Sequence, residues 1–151
     1  MKKLSHVDKR GHAHMVDVSA KPVQVREAVA RGTISLRHET LNLIASNQIA
    51  KGDVLNTARL AGIQAAKRTS ELIPLCHPLN LTHVDVELHP RLGGIDITAA
   101  AKIAAQTGVE MEALTAVTVA ALTIYDMCKA VDKELVIGDI KLVSKRKGAM
   151  K

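Results

Sequence analysis

The order of patterns along the chain predicts an α+β fold: a sandwich with helices packed on one face of an antiparallel sheet, close to the ferredoxin-like βαββαβ arrangement. Three observations carry this. The patterns run strand, two helices, hairpin, helix, strand. The clearest of them, over 80–105, is an antiparallel hairpin. The longest helix is apolar nearly all round, so it is covered on more than one side, and a partner subunit is the simplest supply of that cover.

Residues 1–14 are polar and are expected to form a flexible N-terminus. His12 and His14 there have no further ligand type beside them, so a frayed terminus is preferred to a metal site. β-Branched residues from Val16 to Ile34 predict extended chain over 16–36. Leu41 and Ile44 share one face of a helix over 37–47. Val54, Ala58, Ala61 and Ala65, with Leu60 and Ile63, mark a second over 53–67, with Asp53 as its N-cap. Val84, Val86 and Leu88 alternate with Asp85 and Glu87. After a turn over 90–94, Ile95, Ile97 and Ile103 share one parity. The long helix spans 108–131, and Thr107 and Glu110 have capping-box spacing. A last strand over 135–143 precedes a basic tail, 144–151. The core domain is thus expected over 15–143.

The chain has 151 residues and 47% apolar residues, enough for one domain with a real core. Tyr125 is the only aromatic, so Leu, Ile, Val, Ala and Met must fill that core. The formal charge of +6 points to an anionic partner or to a solvated basic surface. Two cysteines, Cys76 and Cys128, give no disulfide framework and suit reduced thiols in a cytoplasmic protein. The first residues read neither as a signal peptide nor as a membrane span.

The most informative run is Leu72-Ile73-Pro74-Leu75-Cys76-His77-Pro78. Each proline fixes its own φ and pushes the preceding residue toward extended conformations, so this loop is stiff and presents a thiol and an imidazole. Neighbours on extended chain point opposite ways, which argues against a direct thiol–imidazole pair. The ligand set for zinc is incomplete. His77 as a substrate ligand or proton-transfer group is the better reading. Asp126 and Lys129 share a helix face at three-residue spacing. Such a pair is usually a surface ion pair, but its apolar neighbours imply partial burial and make it a candidate acid–base couple. Glu110 and Glu112 open the same helix, where capping and dipole compensation explain Glu110 better than Glu112. Lys51 precedes a predicted helix N-terminus, a place that favours phosphate.

Several runs together resemble one family. They are Met15-Val16-Asp17-Val18, Lys51-Gly52-Asp53, Ala58-Arg59-Leu60-Ala61-Gly62-Ile63, the loop from Leu72 to Leu79, Thr107 to Thr115, and Tyr125-Asp126-Met127-Cys128-Lys129-Ala130. In order and spacing, over about residues 4–145, they are similar to the cyclic pyranopterin monophosphate synthases of molybdenum cofactor biosynthesis. The resemblance implies a lyase that converts 3′,8-cyclo-7,8-dihydroguanosine 5′-triphosphate to cyclic pyranopterin monophosphate, releasing pyrophosphate. It implies no metal and no organic cofactor. Asp126 is then the catalytic acid–base residue, assisted by Lys51, Lys129 and Lys145. Leu75, Cys76, His77, Met111 and Glu112 bind the substrate. The assembly it implies is a hexamer of three dimers. Glu112 and Asp126, fourteen residues and so about 21 Å apart on one helix, point further to sites shared between two chains. Neither nucleic acid nor membrane is expected as a partner. The family pattern continues Lys-x-Gly-Gly-Lys-Ser-Gly, whereas Lys145 here leads into Arg146-Lys147-Gly148-Ala149-Met150-Lys151. No lysine stands at the place of the second one, leaving Lys147 and Lys151 as substitutes.

Two other classes fit the sequence less well. An RNA-binding module needs exposed aromatics for stacking, and one Tyr inside an apolar helix does not supply them. A catalytically dead structural relative is supported only by the unusual tail.

Overall fold

The computed structural model describes residues 6–8 and 10–149. Its strands are β1 (Gln24–Ser35), β2 (His83–Arg91), β3 (Gly94–Ala105) and β4 (Val136–Gly148). Its helices are α1 (His38–Ala45), α2 (Val54–Lys67), the single turn α3 (Thr69–Leu72) and α4 (Glu110–Cys128). The sheet order is β2-β3-β1-β4, and every pairing is antiparallel. Each crossover, β1 to β2 and β3 to β4, therefore skips one strand, as a ferredoxin-like βαββαβ fold requires.

One parity of each inner strand is buried, which is why the helices need only one face. Ala28, Ala30 and Ile34 of β1 sit opposite Ala101, Ala99 and Ile95 of β3. Val86 and Leu88 extend this layer across β2. A core without aromatic rings is made dense by close approach rather than by large side chains. Ala113, Ala116, Ala120 and Ala121 of α4 are all fully buried. A Cβ on Gly32 would lie 2.7 Å from Val117, and one on Gly62 would lie 2.9 Å from the Ala116 carbonyl oxygen. These two glycines let α4 settle onto β1 and α2 settle onto α4.

α2 runs antiparallel to α4, with Gly62 against Ala116 and Ala120 at mid-length. The turn before α2 consequently meets the end of α4, and the loop after α3 meets its start. α2 also supplies, from within the chain, much of the second cover that α4 needs. Leu122 and Tyr125 of α4 remain 53% and 38% exposed. By length and composition α4 would span a bilayer, but over half of it is buried inside this domain, as for a core helix.

Several expected boundaries shift. Residues 16–23 are not a strand, because β1 begins at Gln24. The capping box is not made: α4 starts at Glu110, after Val109, and no side chain caps it. Leu60 faces outward, 67% exposed. The strand expected to end at Val143 continues through Lys145 to Gly148, so most of the supposed tail pairs with β1. A charged run can do this because it lies on a sheet edge with both faces open to water. The register against β1 slips twice, and Asp139 adopts φ 51° in one of the slips. Of the expected N-terminal arm, residues 1–5 and 9 lie outside the described residues, as do Met150 and the candidate substitute Lys151. Val7 and Ala13 form an antiparallel bridge.

Candidate active site

The expected site residues fall into two groups, one at each end of α4. At its C-terminal end, Asp126 Oδ2 accepts from Lys51 Nζ at 2.6 Å, and Asp126 Oδ1 lies 2.7 Å from Lys129 Nζ. Lys51 also donates to the Asp126 carbonyl oxygen at 3.0 Å. Lys51 stands in the turn before α2, closed by Gly52 N–H donating to the Ile49 carbonyl at 2.9 Å. Gly52 has φ 97°, which favours glycine there. The helix N-terminus beside it is not an open phosphate site, because Asp53 caps it by accepting from the Asn56 N–H. Lys51 instead reaches across to α4.

These three side chains are each about half exposed in the chain, more than the apolar neighbours of Asp126 suggest. Hydrogen bonds from Lys129 and then Lys51 hold the Asp126 carboxyl down to a pKa of about 2. The same bond to Asp126 raises the Lys129 ammonium. At neutral pH the cluster is a carboxylate gripped by two ammonium groups.

The other end of α4 forms the wall of a cavity of about 390 Å³. Leu75, Cys76, His77, Met111 and Glu112 all line it, so the five expected binding residues do come together. The prolines act partly as anticipated. Ile73 is extended, at φ −113° and ψ 107°, and Cys76 N–H then donates to the Ile73 carbonyl at 3.1 Å, closing a turn with Pro74 at its second position. His77 Nε2 lies 2.7 Å from the Val16 carbonyl oxygen. A carbonyl only accepts, so Nε2 carries the proton and Nδ1 of the neutral ring is left free to accept. Glu112 is 4% exposed, and burial raises its pKa, with the charge of Glu110 adding to the effect. Burial and then the nearby Glu112 raise the Cys76 thiol, which is therefore no thiolate nucleophile at neutral pH.

Lys145 belongs with this end. It lies in an adjoining cavity of about 280 Å³ with Arg26 and Lys147, and Gly108 and Glu110 line both spaces. Lys145 Nζ donates to Glu110 Oε1 at 3.2 Å. Of the four expected catalytic residues, the chain thus gathers Lys51, Asp126 and Lys129, and sets Lys145 beside the cavity at the other end of α4. Glu112 and Asp126 are fourteen residues apart on one helix, about 21 Å along its axis. Among the described residues, no three His, Cys, Asp or Glu side chains converge as a metal site requires.

Sequence reasoning did not find Lys21 or Arg26. Lys21 lines the larger cavity with Val16 and Val18, three residues past the run Met15–Val18 that belongs to the family resemblance, so nearness to that run was the available signal. Arg26 sits on a strand like any exposed arginine; only the fold turns it inward, where its Nε is buried with no hydrogen-bond partner among the described residues.

Residues 15–148 match the family model described as MoaC family. The chain belongs to the MoaC family. A cyclic pyranopterin monophosphate synthase of Pelotomaculum thermopropionicum is 58% identical over 98% of this chain and 88% of its own length. The Chloroflexus aurantiacus protein of the same name is 58% identical over 96% of this chain and 90% of its own length. That of Parvibaculum lavamentivorans is 56% identical over 97% and 93%. The MoaC match reaches Gly148, so it includes the segment where the tail departs from the motif and yet completes β4.

Proposed function

We propose that this protein is a cyclic pyranopterin monophosphate synthase, a lyase of molybdenum cofactor biosynthesis. It converts 3′,8-cyclo-7,8-dihydroguanosine 5′-triphosphate to cyclic pyranopterin monophosphate and pyrophosphate. Identity near 58% over almost the whole length of relatives with that name carries this reading.

The Asp126 cluster is the reacting group. The carboxylate accepts protons, and the Lys51 and Lys129 ammonium groups donate them. A pKa near 2 makes Asp126 a weak base in the free chain. A polyanionic substrate competes for the two ammonium groups, and any loosening of their grip raises Asp126 toward a working value. The cavity on the other side of α4 binds the substrate. His77, through its free Nδ1, accepts a hydrogen bond, and Leu75, Cys76, Met111 and Glu112 shape the pocket. Lys145, with Arg26 and Lys147 beside it, supplies positive charge for the phosphates.

Two ends of one helix about 21 Å apart cannot both touch the compact rings of one nucleotide. The reading is therefore a shared site. A second copy brings its Glu112 end to this Asp126 end, and a two-fold axis makes two equivalent sites per dimer. Three such dimers form a hexamer in the cytoplasm, acting on a small molecule and on neither nucleic acid nor membrane.

Incubation of the protein with the cyclised triphosphate, followed by oxidation, is expected to yield a fluorescent pterin and one pyrophosphate per turnover. Absence of both products with authentic substrate would refute the assignment.

A further inference from the structure

We propose that Asp132 is a positioning residue: it pins the start of α1 to the end of α4, and thereby holds Lys51 against Asp126. The assignment rests on the reading of Lys51, Asp126 and Lys129 as the reacting cluster.

The Asp132 side chain is completely buried. A buried carboxylate is costly unless its oxygens are bonded, and these are. Oδ2 accepts from the Arg37 N–H and from the Thr40 hydroxyl, both at 2.9 Å. Oδ1 accepts from the Glu134 N–H at 2.9 Å and lies 3.4 Å from Arg37 Nε. Burial pushes the Asp132 carboxyl up, but these bonds outweigh it and leave it below the usual range. The arginine makes a second link, its Nη2 donating to the Val131 carbonyl at 2.5 Å.

This arrangement substitutes for a missing local cap. α1 has only eight residues, too few to be stable alone, and Arg37 at its N-cap position offers no side-chain cap. Asp132, more than ninety residues further on, serves as that cap from across the fold. From α1 the chain passes through a tight segment. Ser46 N–H donates to Asn42, Asn47 N–H to Ile44 and Gln48 N–H to Leu43. That segment delivers Lys51 to Asp126. α1 and its turn are therefore tied to the C-terminal end of α4 at two points: to Asp132, in the turn just after the helix, at the start, and to Asp126, through Lys51, at the end. Only the second is part of the reacting cluster. The first has no access to solvent or substrate and sets the geometry of the second.

The test is Asp132→Asn in the intact protein. Asparagine keeps the size but loses the charge and one acceptor atom. The Asp126 carboxyl is followed by its ¹³C shift against pH, with the signal assigned by its loss in Asp126→Asn. Its midpoint is expected to move up from about 2 toward the ordinary carboxylate range as Lys51 loosens. Turnover is expected to fall roughly 10- to 100-fold with KM within about 2-fold, because misplacement by about 1 Å costs of that order. Thr40→Val, which removes one bond and keeps the shape, should move Asp126 in the same direction by less. It serves alone if Asp132→Asn does not fold. Asp126 titrating as in the parent, in either folded variant, would make Asp132 a stabilising residue only and overturn the proposal. The titration needs no substrate, so it is decided separately from the reaction assigned above.

Discussion

Glu112 and Asp126 stand on one helix, yet the two ends of α4 treat a carboxylate in opposite ways. Glu112 is 4% exposed in a cavity wall, where burial raises its pKa. Asp126 keeps about half its side-chain surface in water and is held at about 2 by two ammonium groups. The buried end resists charge and shapes a pocket. The open end concentrates charge and can move protons. Pairs of titratable groups pushed apart by their surroundings are a mark of divided chemical labour. Here the division falls along a helix too long for one substrate to bridge.

The sharpest way to break this contrast is at the charged end. Asp126→Asn and Lys129→Ala are each expected to lower product formation by about 10² to 10⁴-fold, the usual worth of a positioned acid–base group. Both side chains are half exposed and outside the core, so melting temperature should shift only slightly. Near-normal turnover in either folded variant would make the cluster an ordinary surface ion pair.

A gain of activity, smaller in size, tests whether the two ends cooperate between copies. Glu112→Ala and Asp126→Ala should each be nearly inactive alone. Mixed under conditions that exchange subunits, they form some dimers in which both defects fall in one site and the other site is intact. Part of the parental activity should then return. If labelled subunits are seen to exchange and no activity returns, each chain holds a self-contained site.

Local signals made the core of the fold legible. Asp53 caps α2 as its sequence position suggests, and the parity of Ile95, Ile97 and Ile103 is the buried parity of β3. Errors came where local chemistry was ambiguous. Val16 and Val18 have the residue type of a strand, but they line a cavity. Lys145, Arg146 and Lys147 have the composition of a solvated tail, but an edge strand tolerates them. The candidate site was legible through the family resemblance, which supplied its residues but not their grouping. The link from Lys51 to Asp126 spans seventy-five residues, and those from Asp132 to Arg37 and Thr40 span over ninety. No periodicity or spacing rule reaches that far, and Asp132 belongs to none of the runs that carry the resemblance.

The smallest expected effect is in stability against pH, and its sign differs between the two ends. Glu112 has a raised pKa in the fold, so the folded chain holds its proton to higher pH than the unfolded chain does. Stability from this group therefore falls as pH rises from the ordinary glutamate value through the raised one. Asp126 has a lowered pKa. Its contribution is present above the ordinary aspartate value and is lost as pH falls toward about 2. Salt separates them further, since an exposed ion pair is screened and a buried carboxyl is not. Melting temperature measured from pH 3 to pH 8 should show Glu112→Gln gaining on the parent as pH rises, at low and high salt alike. Asp126→Asn should fall behind the parent at low salt above the ordinary aspartate value, slightly, and draw level with it in about 1 M salt, where the Debye length is about 3 Å. Equal pH slopes for parent and Glu112→Gln would mean that Glu112 is as well solvated in solution as Asp126, and the contrast between the two ends of α4 would be lost.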